Sequence, residues 1–161
     1  MVEILVHMAE MRFSTDTREV LCALSLGCGI CISLYDPRIK AGGLVVSALP
    51  DAGLAGGVAP TDHPFAFIDQ AVPRMLENAM ENGLQPETSK IVLAGGGWIP
   101  GQTGIYDIGR QNGRKAMKML GDYGLKPVHF SLGRGMNRSL FLEIKTGAVR
   151  ITSAGRETAD L

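Results

Sequence analysis

Apolar positions along this chain fall into short runs punctuated by glycine and proline, and only two stretches adopt a helical period. The clearest unit is a hairpin. A small-residue turn, Gly27-Cys28-Gly29, leads into an apolar run from Ile30 to Leu34, Asp36-Pro37 and Gly42-Gly43 mark the connection, and a second run from Leu44 to Leu49 ends at Pro50. Upstream, Val2 to Met11 alternates loosely through Ile4, Val6 and Met8, which predicts one first strand. Ser14-Thr15-Asp16 then turns the chain into a second strand around Glu19 to Ala23. From Ala66 to Asn82, Ile68, Ala71, Val72, Met75, Leu76, Ala79 and Met80 recur at helical spacing; Pro73 within this pattern predicts a kink or restart, and Gly83 a stop.

Further on, Lys90 to Ala94 and Lys126 to Phe130 read as strands. Leu140 to Ile144 and Ala148 to Ile151 read as a hairpin across Lys145-Thr146-Gly147. A second helix runs from an N-cap at Asp107 to about Leu120, with Arg110, Arg114 and Lys118 along its exposed side. Residues 151–161 are polar and read as a frayed tail. Roughly seven to eight strands, linked mostly as hairpins, with two helices inserted between them, favour an α+β layered domain over a doubly wound parallel sheet.

Composition narrows the function classes. At 161 residues the chain is one domain, residues 1–161, able to bury its own core. Sixteen basic residues balance sixteen acidic ones, so no net field draws the protein to nucleic acid or an anionic membrane. Aromatics are 6% of the chain, too few for a base-stacking surface. No run approaches the roughly 20 apolar residues of a membrane span. Met1 to Met8 is too short and, with Glu3 and Glu10, too acidic for a signal peptide. Three cysteines form no disulfide framework, and a cytoplasmic location is expected. Pro50 to Pro64, rich in glycine and proline, reads as a long surface loop.

Candidate chemistry is sparse. Cys28-Gly29-Ile30-Cys31 has the spacing of a redox pair, but that role needs the first cysteine at a helix N-terminus. On a strand the two residues face opposite ways, about 10 Å apart, beyond disulfide reach. Structural zinc would need two further ligands, and only Cys22 and three scattered histidines remain. A redox or metal protein is thus the more distant reading, and no cofactor is expected. Gly95-Gly96-Gly97 follows a strand without the Lys-Ser/Thr of a phosphate loop, and reads as turn glycine. Of His7, His63 and His129, His63 is the one to follow, because it lies in the long loop.

Taken in order, the hairpin pattern (LG, two small residues, an apolar strand, then LYDP, GG and LP) followed by FIDQAV, KIVLAGGG, IGRQN and NRSLFLEIKTGAVRI resembles the CheD family of bacterial chemoreceptor glutamine deamidases. The likeness covers roughly Met8 to Ile151. It implies a three-layer α/β sandwich, hydrolysis of glutamine side-chain amides on chemoreceptor cytoplasmic helices, and association with the phosphatase CheC. In that family a histidine draws the proton from a cysteine thiol, the thiolate attacks the carboxamide, ammonia leaves, and water hydrolyses the thioester. Without a gap from Leu26 to Pro50, the resemblance puts the family's nucleophile at Gly29, its preceding serine at Cys28 and its histidine at Val46, and its threonine at Ala23. The expectation is a CheD-like chemotaxis protein that binds without deamidating. The alternative is an active amidohydrolase using Cys28 as nucleophile and a relocated histidine, His63, as base.

Overall fold

The computed structural model describes residues 1–55, 62–99, 101 and 107–161. The described residues hold ten strands and two α-helices: β1 (Val2–Leu5), β2 (Glu10–Ser14), β3 (Glu19–Ala23), β4 (Ile30–Asp36), β5 (Ala41–Ser47), α1 (Ile68–Glu81), β6 (Lys90–Gly95), α2 (Ile108–Asp122), β7 (His129–Leu132), β8 (Arg138–Glu143), β9 (Val149–Ser153) and β10 (Arg156–Asp160). They form two five-stranded sheets, a central one ordered β2-β5-β4-β6-β7 and an outer one ordered β1-β3-β8-β9-β10. Only β1–β3 and β6–β7 pair in parallel. The architecture is an α+β three-layer sandwich, as the resemblance implied.

Burial explains the layering. Strands β4 and β5 are buried along their whole length, because each face of the central sheet is covered. One face (Ile30, Ile32, Leu34, Val45, Ile91, Leu93) packs under the apolar stripe of α1 and part of α2. The other face (Cys31, Tyr35, Leu44, Val46, Val92, Ala94) packs against Leu21, Ala23, Leu140, Leu142 and Ile151 of the outer sheet. Tyr35 spans the second interface, its hydroxyl donating to the Ile144 carbonyl at 3.1 Å.

Four sequence expectations need correction. The stretch Val2 to Met11 is two strands in different sheets. The Val6 N–H still donates to Cys22 of the outer sheet at 2.8 Å, whereas Ala9, at φ 65°, donates to Val46 of the central sheet at 2.9 Å. Pro73 does not restart the helix, and α1 runs unbroken from Ile68 to Glu81. The tail is not frayed: β10 pairs with β9, and Leu161 exchanges two backbone bonds with Val149, each 2.8 Å. Cys28 and Cys31 do not share a strand: Cys28 lies in the small-residue turn expected at Gly27-Cys28-Gly29, and only Cys31 is on β4. Of the predicted loop from Pro50 to Pro64, residues 56–61 lie outside the described residues.

Candidate functional site

The turn Leu26–Gly29 is closed by a Gly29 N–H to Leu26 carbonyl bond of 2.9 Å and held by three neighbouring segments. The Gly27 N–H donates to Asn137 Oδ1 at 2.9 Å. From the glycine run, the N–H groups of Gly97 and Gly96 donate to the carbonyls of Gly27 and Gly29 at 2.9 and 2.8 Å. This approach is so close that a Cβ on Gly95 would overlap the Gly29 carbonyl. From α2, the fully buried Asn112 side chain donates to the carbonyls of Cys28 and Ala48 at 2.8 and 2.9 Å, tying the turn to the end of β5.

The strand register settles which positions meet. Cys31 pairs with Val46 and Ile30 with Ser47, so position 29, one step beyond, shares the face of Val46 and lies diagonal to it. That face looks into the interlayer core, where Ala23 also sits. Positions 23, 29 and 46 therefore converge on one region, and none carries a polar side chain. Gly29 is buried, and an added Cβ would stand 2.5 Å from Met8 Cε, 3.0 Å from the Leu26 carbonyl and 3.1 Å from the Ser47 carbonyl. Met8 thus occupies the space that any side chain at position 29 would need.

Met8 also lines a cavity of about 180 Å³, together with Leu5, Val6, Leu24, Ser25, Leu26 and Val46, with His7 and Cys22 as its titratable groups. Met8, Leu5 and Leu24 are all about half exposed, so the cavity opens onto an apolar rim. Cys22 is buried in this setting. Burial, with Glu3 adding to it, pushes its thiol up to about 11, and its Sγ lies 3.4 Å from the Val20 carbonyl. His7 was unremarkable in sequence; the crossing from β1 to β2 brings it here, and no local motif announces that.

The sequence candidates are dispersed. Cys28 is exposed in its turn, while Cys31 is fully buried in the interlayer core, where burial pushes its thiol up; all three cysteines are free. His63 is exposed beside the 3-10 turn Pro64–Ala66. That turn meets the hairpin, since Ser47 Oγ donates to the Phe65 carbonyl at 2.7 Å and Ala48 N–H to Ala66 at 2.9 Å. Among the described residues, no hydrogen bond joins His63 or His129 to Cys28. Nor does any trio of His, Cys, Asp or Glu side chains converge there as metal ligands do. Asp107 holds the N-cap position of α2 without a capping bond; its carboxylate lies 3.6 Å from Arg110, whose guanidinium stacks on Trp98 at 3.9 Å.

A family model for CheD chemotactic sensory transduction matches residues 48–153. The chain belongs to the CheD family. A probable chemoreceptor glutamine deamidase CheD 1 of Syntrophus aciditrophicus is 32% identical over 161 residues, covering 100% of both chains. A probable CheD of Clostridium novyi is 30% identical, over 95% of this chain and 94% of its own. The chemoreceptor glutamine deamidase CheD of Thermotoga maritima is 29% identical, over 84% of this chain and 83% of its own. The CheD family model begins at Ala48, past β1 to β5, and so past Ala23, Gly29 and Val46. The family assigns this chain to chemotaxis signal transduction. Among the described residues, no helix is long and apolar enough to cross a membrane.

Proposed function

We propose that this CheD-family protein engages chemoreceptor cytoplasmic helices, or a CheC-like phosphatase, by binding and without deamidating glutamine. The observation that carries this reading is the Met8 methyl in the space beside Gly29, with the apolar Val46 on the same face. Thiolate attack needs a cysteine and a base within hydrogen-bond reach. Here the diagonal pair of positions that could supply both supplies neither, and in the adjoining cavity, which His7 also lines, the one cysteine is the buried Cys22. The strand frame, the glycine run and the Asn112 clamp hold the turn in place, which suits a surface for recognition.

Incubation of the purified protein with a glutamine-bearing chemoreceptor cytoplasmic fragment tests this, with ammonia release and conversion of amide to acid by mass spectrometry as readouts. We expect binding by calorimetry and no conversion, and we expect conversion to appear when Met8→Ala, Ala23→Thr, Gly29→Cys and Val46→His are combined. Conversion by the unaltered chain that is lost in Cys28→Ala and in His63→Ala would establish the rival reading, an amidohydrolase acting through Cys28.

A further inference from the structure

The largest cavity among those described lies away from the hairpin, in a groove of about 570 Å³ between the C-terminal half of α1 and the end of α2. Its wall on α1 is Pro73, Leu76, Glu77 and Met80, spaced i, i+3, i+4, i+7; Leu76 belongs to the buried core stripe, whereas Met80, which the periodicity placed on that stripe, faces outward. Tyr123 and Leu125 close the opposite side, and Glu87 the end. Leu76 and Leu125 form a buried floor, whereas Met80 is 58% exposed and Tyr123 51%. Exposed side chains of that size around an apolar floor mark a recognition surface.

The charge pattern selects the occupant. Glu77 and Glu87 line the groove, and among the described residues no ion pair reaches either of them. No lysine or arginine lines the groove. We infer that this groove docks a basic amphipathic helix of a partner protein. The aliphatic stem of a lysine or arginine lies along Leu76 and Met80 while its charge reaches Glu77 or Glu87, and the Tyr123 ring offers a cation–π face. An acidic helix would instead bring like charges together. Asn112, at the hairpin, and Tyr123, at the groove, stand about 16 Å apart along α2. The two surfaces can therefore be occupied together, and this inference is independent of the deamidation question.

The probe is a fluorescein-labelled amphipathic helix of leucine and lysine, titrated with the full chain by anisotropy, beside its leucine–glutamate counterpart. Saturable binding of the leucine–lysine helix is expected, weakened about tenfold in Glu77→Lys/Glu87→Lys. A charge-matched control, Glu3→Lys/Glu157→Lys on the outer sheet, should leave it within about twofold. All four positions are exposed, and circular dichroism verifies folding of each variant. Unchanged affinity in the groove variant, an equal loss in the control, or equal binding of the leucine–glutamate helix would each overturn the inference.

Discussion

Gly29→Ala is the sharpest perturbation the fold allows, because one added carbon meets three atoms of different compliance. Met8 Cε, at 2.5 Å, is the end of a flexible side chain and can rotate away. The carbonyls of Leu26 and Ser47, at 3.0 and 3.1 Å, belong to backbone fixed by turn and ladder bonds. Overpacking of this kind costs about 1–3 kcal/mol. The lost freedom of the unfolded chain returns about 0.4–1 kcal/mol, since Gly29 is not in the left-handed region. The net expectation is a loss of about 1.5 kcal/mol, or about 3–6 °C in Tm for a domain of this size. Met8→Ala alone should cost under about 1 kcal/mol, because the side chain is half exposed. With Met8 already gone, the alanine at position 29 should be cheaper by about 1 kcal/mol, a coupling that a double-mutant cycle isolates. Urea unfolding followed by Trp98 fluorescence and circular dichroism reads these differences as midpoint shifts at constant slope. Additive effects, or a Gly29→Ala protein as stable as the parent, would show that Met8 does not fill the space beside Gly29.

Two further predictions concern the frame. Asn112→Ala removes both donors that hold Cys28 and Ala48, empties the fully buried site of the amide, and should cost about 2–4 kcal/mol in urea unfolding. Asp36 is fully buried at the end of β4; burial alone would raise its carboxyl, but bonds from the Arg38 side chain and from the N–H groups of Gln85 and Arg38 prevail and lower it. Its contribution is therefore complete above the ordinary carboxylate range near pH ~4 and is lost as pH falls through the lower folded value. Asp36→Asn should cost about 3 kcal/mol at neutral pH and flatten the acid limb of stability measured down to about pH 2.

The elements that bury a face were legible from periodicity. The stripe from Ile68 to Ala79 identified α1, and the apolar runs of β4 and β5 identified the centre of the sandwich. Alternation could not separate β1 from β2, because Ile4, Val6 and Met8 keep the same rhythm while the chain changes sheet. The crossing is made by Ala9 in a left-handed conformation that no glycine or asparagine signals. Strand β10 was illegible for a different reason: at a sheet edge, Arg156 to Asp160 remains largely exposed and has little need of apolar residues. Register placed positions 29 and 46 near each other, but the contact that fills the space beside Gly29 comes from Met8, far back in sequence, where no local pattern points to it.

The way the chain alternates between layers also bears on how the protein is made. β1 and β3 enter the outer sheet at the start of synthesis, yet the partner of β3, strand β8, is translated more than a hundred residues later. At ordinary rates of elongation, the open edge of β3 and the apolar faces of Leu21 and Ala23 wait roughly 10 s for Leu140 and Leu142 to be translated. No contiguous half of the chain can close both layers, so a nascent chain stopped before β8 carries a finished central sheet with one face covered by β1 and β3 alone. That truncated product, rather than any destabilised full-length variant, is the form of this protein most exposed to aggregation and to chaperone capture.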